Sequence, residues 1–257
     1  MSLIVEPKGK AREYSPRALS VYTYGCDHGC RYCYCRNIFG INWGDVPRPR
    51  NLSGLEFEAA SASRQVLLSF VSDPYCRAEE VHRNTRKALS VLHRERCSVA
   101  ILTKGGRRCL DDLHTFQKWP DGRIKVGATL TFATDKRSVE WEPGAALPSD
   151  RVDALRELHA AGVHTWASIE PVIDPVESLA IIAASIPYTD AYKVGKWSHD
   201  KRALEIDWAS FGMAAVKMIR SAGRRLYIKV DLRPYFPAGF LKADEIADDA
   251  LTLPDRT

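Results

Sequence analysis

No apolar stretch in these 257 residues approaches the ~20 needed to cross a bilayer. The opening MSLIVEPKGKAREYSP has an apolar run only from Leu3 to Val5 and then turns charged, unlike a secretory signal. No motif returns at a fixed period of about 20–50 residues, so a repeat solenoid is excluded. Low-complexity segments and evident linkers are missing too. Lysine and arginine form no pure run: KGKAR (8–12), RPR (48–50) and GRR (106–108 and 223–225) are short and scattered. Seven cysteines is an odd number, and a chain this long buries a core without disulfide staples. The expectation is a cytoplasmic protein with reduced thiols and no membrane partner.

What is present is ordinary in amount and uneven in place. Apolar residues make up 45% and charged residues 27%, as in a soluble globular protein. The net charge of +5 divides into −3 over residues 241–257 and +8 over residues 1–240. One domain over 1–240 followed by an acidic tail over 241–257 is the simplest partition. A basic body is compatible with a polyanionic partner such as nucleic acid.

Short β-like runs alternate with amphipathic helical runs. The strand candidates are ALSVYTY (18–24), QVLLSFV (65–71), SVAILT (98–103), IKVGATLTF (124–132), VHTWASIEPV (163–172), DAYKVG (190–195) and RLYIKVD (225–231). Most are continuously apolar, the mark of strands buried on both faces of a parallel sheet. Between them, 78–93 predicts one helix with Val81, Ala88, Leu89 and Leu92 on its inner face. Residues 149–162 predict another, N-capped by Ser149, with Val152, Leu155 and Leu158 inward and Gly162 as its stop. A third runs over 204–223. Such alternation implies βαβ units, with the active site at the C-terminal ends of the strands. YGCDHGC, SDPY, TKGG and EPVIDP all fall at such ends.

CDHGCRYCYC (26–35) holds four of the seven cysteines. Zinc sites usually pair two such motifs a dozen or more residues apart, and no second C-x2-C or H-x3-H pair follows. His28 lies inside the loop, but a fourth zinc ligand would have to be Cys35 or a distant residue. Three thiolates from one loop can instead hold three irons of a cubane cluster and leave the fourth iron open. Zinc, cluster and chance crowding remain the readings of the residues alone.

CDHGCRYC, with Tyr32 before the last cysteine, resembles the signature of the radical S-adenosylmethionine (SAM) enzymes. SFVSDPY, ILTK and TFATDKRSVEWEPGA follow in the order seen in spore photoproduct lyase and its relatives. The likeness covers residues 18 to 175. It implies a partial (β/α)6-type parallel barrel with its cluster loop over 24–36. It also implies a [4Fe–4S] cluster on Cys26, Cys30 and Cys33, and SAM bound at the open iron. By the same resemblance Tyr32 lies near the adenine, Ser72 faces the methionine part of SAM, Lys104 reaches its carboxylate and Thr131 contacts it. Glu170, at a strand end before Pro171, is placed to hold the SAM ribose or a substrate. A flavodoxin- or ferredoxin-type donor would supply the electron.

The pattern breaks at one position. The lyase has a cysteine two residues before its Ser-Asp that donates hydrogen to the repaired thymine, and here that position is Phe70. Tyr34, Cys35 and Cys76 are the candidates to replace it. Lys193, Lys196, His199, Lys229 and Asp231 fall at or after strand ends, and the three lysines suggest an anionic substrate. Trp43 is a candidate to stack on a base or to shield the cluster. The leading expectation is a radical SAM enzyme acting on a nucleotide or nucleic acid. The alternatives are radical modification of a partner protein or peptide, and a zinc- or cluster-stabilised nucleic-acid-binding module without turnover.

Overall fold

The computed structural model describes residues 2–23, 25–36, 40, 45–198 and 200–255. Trp43 and His199 lie outside the described residues. All seven expected strands form: β2 (Arg17–Leu19), β5 (Val66–Leu68), β6 (Val99–Thr103), β7 (Ile124–Thr129), β8 (His164–Ile169), β9 (Ala191–Val194) and β10 (Arg225–Ile228). They pair in parallel, in sequence order, and β1 (Ile4–Val5) adds one antiparallel edge to β2. The sheet is open, as a partial barrel requires. A separate two-stranded ribbon joins β3 (Tyr22–Thr23) to β4 (Arg48–Pro49), so the first expected run divides between two sheets. No helix among the described residues is long and apolar enough to cross a membrane.

The period of two in each strand sorts side chains between two buried faces. Val66, Val99, Ile101 and Val126 join the helix-covered core on the outer face, as do Ala167, Ile169, Tyr192 and Ile228 further round. Their neighbours Leu67, Ala100, Trp166, Ala191 and Tyr227 form a smaller cluster inside the barrel, joined by Tyr14, Phe70 and Leu102. Both faces are apolar because both are covered. This accounts for the continuous apolar runs. Trp166 fills the interior and donates its indole N–H to the Ile101 carbonyl at 2.9 Å. Gly127 permits this, since a β-carbon there would lie 2.6 Å from the indole.

Residues 241–255 are packed against the body. Leu251 and Leu253 are buried, and Glu245 pairs with Arg220 at 2.5 Å. At the N-terminal ends of the strands, Gln65 accepts from Leu253 N–H at 3.0 Å. Ser98, Lys125 and Arg225 donate to the carbonyls of Pro254, Leu251 and Ala250.

Two local expectations are corrected. The helix expected over 78–93 is two helices, Arg77–His82 and Asn84–Arg94, divided at Arg83 with φ +52°. The break rotates the first helix, and Val81 is 78% exposed while Ala88, Leu89 and Leu92 are fully buried. Pro148 opens the helix Pro148–Ala160, so Leu147, not Ser149, is its N-cap. Its missing N–H costs nothing in the first turn. Denaturant unfolding should find Leu89→Ala destabilising by about 2–5 kcal/mol. Val81→Ser should stay within about 0.5 kcal/mol of the parent; a cost above 1 kcal/mol would contradict the divided helix.

Candidate functional site

The cysteine loop sits over the C-terminal ends of β5 to β7, tied to each of the segments that follow them. The Asp27 carboxylate accepts from Arg77 N–H at 2.7 Å. Gly144 N–H donates to the His28 carbonyl at 2.9 Å, and Arg31 N–H to the Trp141 carbonyl at 2.8 Å. Gly144 is pressed so closely that a β-carbon would stand 1.9 Å from the Asp27 carbonyl oxygen. His28 is buried between Arg108 and Asp73. Arginine has no lone pair to offer, so His28 Nε2 accepts its N–H at 3.2 Å and the ring proton is on Nδ1, facing Asp73 at 3.5 Å. Burial lowers the pKa of His28 despite the neighbouring Asp73 and Asp27. Asp73 also accepts from Thr103 Oγ1 at 2.5 Å, Tyr75 N–H at 2.8 Å and Lys104 N–H at 2.7 Å. One carboxylate thereby joins the loop to the ends of β5 and β6.

The thiols differ in setting. Burial, then Asp73, pushes Cys26 up to about 12. Burial also raises Cys30, against the pull of Lys104. A hydrogen bond from Cys35 holds Cys33 down to about 6 and raises Cys35 in return. Cys26 and Cys33 both lie near enough to Cys30 to act on it electrostatically. Among the described residues no three Cys, His, Asp or Glu side chains are drawn in around one ion-sized point. The donor set is what fits an iron–sulfur cubane: three thiols of one short loop, with the cation of Lys104 beside them.

A buried charge cluster lies beneath Tyr32. Its hydroxyl donates to Glu142 and lies 3.3 Å from Thr131 Oγ1. Glu142 is ion-paired with Arg151 at 2.6 Å, both side chains being at most 1% exposed. Arg151 also donates to the Thr129 and Ala146 carbonyls at 2.9 and 2.8 Å. Burial alone would raise the Glu142 carboxyl, but Arg151 and Lys104 outweigh it and hold the group below its ordinary range. Lys104 Nζ lies 5.5 Å from the centre of the Tyr32 ring. Burial would lower its pKa; Cys30 and Glu142 raise it instead. Ser72 is buried, and its hydroxyl has no partner among the described residues.

Cys35 and Tyr34 both reach the position where sequence reasoning noted a missing thiol. Tyr34 OH donates to the Phe70 carbonyl at 2.9 Å and Cys35 Sγ approaches it at 3.5 Å. Cys76 is fully buried in the outer core, and burial, then Asp73, Asp27 and Cys26, raise its pKa. Glu170 Oε2 accepts from Tyr14 OH at 2.5 Å and from Lys229 at 2.6 Å. The expected ring of three mouth lysines is corrected. Lys193 and Lys229 are each 4% exposed, and Lys196 donates to Tyr235 OH at 2.7 Å beneath the Trp208 and Tyr235 rings. Sequence reasoning missed Glu142 and Arg151 as members of the site. EPG after the fourth strand was the signal, but their pairing across nine positions and a turn carries no periodicity.

No family model matches the chain. An uncharacterised protein of Methanocaldococcus jannaschii is 31% identical over 175 residues, 65% of this chain and 65% of that protein. The chain therefore spans just under two thirds of that relative. An uncharacterised protein of Mycobacterium tuberculosis is 26% identical over 236 residues, 84% of this chain and 68% of the relative. A radical SAM Nα-GlyT isomerase of Pseudomonas phage M6 is 23% identical over 177 residues, 64% of this chain and 35% of the isomerase. Spore photoproduct lyase complexed with dinucleoside spore photoproduct matches with a TM-score of 0.66 at 14% identity, covering 91% of this chain and 80% of the lyase. Streptococcus suis SuiB bound to SAM matches at 0.60 and 13% identity, covering 82% of this chain and 49% of SuiB. Both are radical SAM enzymes, and this chain has their fold. The resemblance carried by the cysteine loop thus extends to the architecture around it.

Gly144→Ala forces the cysteine loop outward. Iron bound after anaerobic reconstitution should fall at least threefold, with a loss of about 1–3 kcal/mol of stability from overpacking. Unchanged iron and melting would show that the contact at Gly144 does not set the loop.

Proposed function

We propose that this chain is a radical SAM enzyme. The observation that carries the reading is the placement of Cys26, Cys30 and Cys33 over the strand ends beside Lys104, whose ammonium donates to none of the described residues. Cys26, Cys30 and Cys33 would hold a [4Fe–4S] cluster there, which would supply the electron for the reductive cleavage of SAM. Lys104 is suited to the SAM carboxylate as a half-buried point charge. Its ammonium stays charged because Cys30 and Glu142 raise its pKa. Thr131 and Tyr32, joined at 3.3 Å, form a polar wall beside it. The unpartnered hydroxyl of Ser72 is a donor for the methionine part. Glu170 has Oε2 engaged by Tyr14 and Lys229, which orients Oε1 as the remaining acceptor for a hydroxyl of the ribose or of a substrate. The apolar interior below, with Trp166 at its centre, keeps water from the reaction chamber.

The substrate differs from that of the lyase, since Phe70 has no abstractable S–H. Cys35 and Tyr34, both on the Phe70 carbonyl, are the hydrogen donors in reach of that position. A nucleotide substrate is supported by the lyase, whose complex holds a dinucleoside. A peptide substrate is supported by SuiB, which has been seen with a precursor peptide. A flavodoxin- or ferredoxin-type carrier is the proposed reductant.

Anaerobic preparations should hold about four irons per chain. With dithionite and SAM they should release 5′-deoxyadenosine. Cys33→Ala should lose both the colour and the cleavage, whereas Cys35→Ala should keep the colour. A colourless zinc protein that leaves SAM intact would overturn the reading.

A further inference from the structure

The site described above uses the ends of β5 to β8. Beside it, residues 8–14 form a strap against the ends of β8 to β10. The strap includes the 3-10 turn Gly9–Glu13, none of whose residues is buried. Its backbone turns on Gly9 at φ +56°. Polar contacts hold it: Lys10 pairs with Asp231 and reaches Ser198 Oγ at 3.3 Å. Glu13 alone in the turn reaches inward. Its carboxylate accepts from Tyr227 OH at 3.1 Å and Val230 N–H at 2.8 Å, with Lys229 Nζ at 3.7 Å. Its backbone carbonyl accepts from Lys193.

The pocket that receives Glu13 belongs to the barrel. Lys193 and Lys229 are each 4% exposed, Lys193 on β9 and Lys229 at the residue that follows the adjacent β10. The Lys193 ammonium lies 5.0 and 4.7 Å from the ring centres of Tyr14 and Tyr227. Each ammonium carries three N–H donors. Among the described residues Lys193 gives one hydrogen bond, to the Glu13 carbonyl, and Lys229 gives one, to Glu170. Buried polar groups are normally satisfied, so this is a place short of acceptors. Burial and the adjacent Lys229 hold the Lys193 ammonium down to about 7, against the opposing pull of Glu13 and Glu170. A cation short of counter-charge behaves this way.

A built pocket of donors, filled by a glutamate on a turn none of whose own residues is buried, has the form of an occupied binding site. We propose that Lys193, Lys229, Tyr227 and the Val230 N–H form an acidic-group subsite of the chamber, that Glu13 is its resting occupant, and that a substrate phosphate or carboxylate displaces Glu13. The assignment rests on the radical-enzyme reading only in taking the chamber as the substrate site. The phosphate would come from a nucleotide, the carboxylate from an acidic peptide.

Amide hydrogen exchange of the full chain, followed by mass spectrometry over residues 8–14, tests this. The probes are adenosine monophosphate and N-acetylglutamate. One of them should accelerate exchange of the strap at least threefold, saturably, and Lys193→Met should abolish the response. Glu13→Gln should exchange faster without any probe and bind the effective probe at least threefold more tightly. Because Glu13 is on the strap, that variant stands even if Lys193→Met fails to fold. A response to the phosphate alone points to nucleotides, one to the carboxylate alone to peptides, and one to both supports the subsite without choosing the source. If neither probe changes the exchange of the parent or of Glu13→Gln, Glu13 is an anchor and the proposal fails. Iron content and SAM cleavage of the same preparation report separately on the radical-enzyme reading.

Discussion

The buried ion pair between Glu142 and Arg151 is the contact on which the site depends. Taking two charges out of water costs several kcal/mol per ion, and only close pairing with further hydrogen bonds offsets it. Here the remaining capacity is filled: Tyr32 and Ser138 donate to Glu142, and Arg151 donates to two carbonyls. Such a pair makes a poor source of net stability but a good specifier of position. It fixes the cysteine loop from below through Tyr32. It also fixes the segment at 141–146, which grips the loop from the side through Trp141 and Gly144. Removing one partner would strand the other charge in the interior.

His28, Asp73 and Arg108 do the same on the opposite side of the loop. Asp73 is the more economical device, since a single carboxylate orders the ends of β5 and β6 and faces the histidine ring. The loop has few apolar contacts of its own, and its shape is imposed by polar groups from three neighbouring strand ends. Here the loop is held by hydrogen bonds to fixed backbone.

The architecture was legible because strands buried on both faces have a distinctive apolar continuity, and all seven appeared where those runs are. Order and direction followed from the alternation with helices. The failures have physical reasons. Val81 matches the helical period of its neighbours, but no local rule places a left-handed residue at Arg83. Lys193 and Lys229 read as mouth cations because sequence shows charge and not depth; Glu13, which covers them together with Tyr14, lies 180 positions before Lys193 and 216 before Lys229. The cysteine spacing was legible as a donor set. Its supports at Glu142 and Arg151 depend on tertiary pairing, which periodicity does not encode.

The strand ends opposite the cysteine loop are crossed by residues 250–254, and the manner of docking has an evolutionary consequence. Gln65, Ser98, Lys125 and Arg225 all bind main-chain groups of that segment. Leu251 and Leu253 are buried, and Ala250 packs half-buried against the interior cluster. The body therefore reads the course of the segment and these apolar positions. Related chains can diverge freely across this stretch while the barrel floor stays sealed, provided that leucine-like residues keep the alternate spacing.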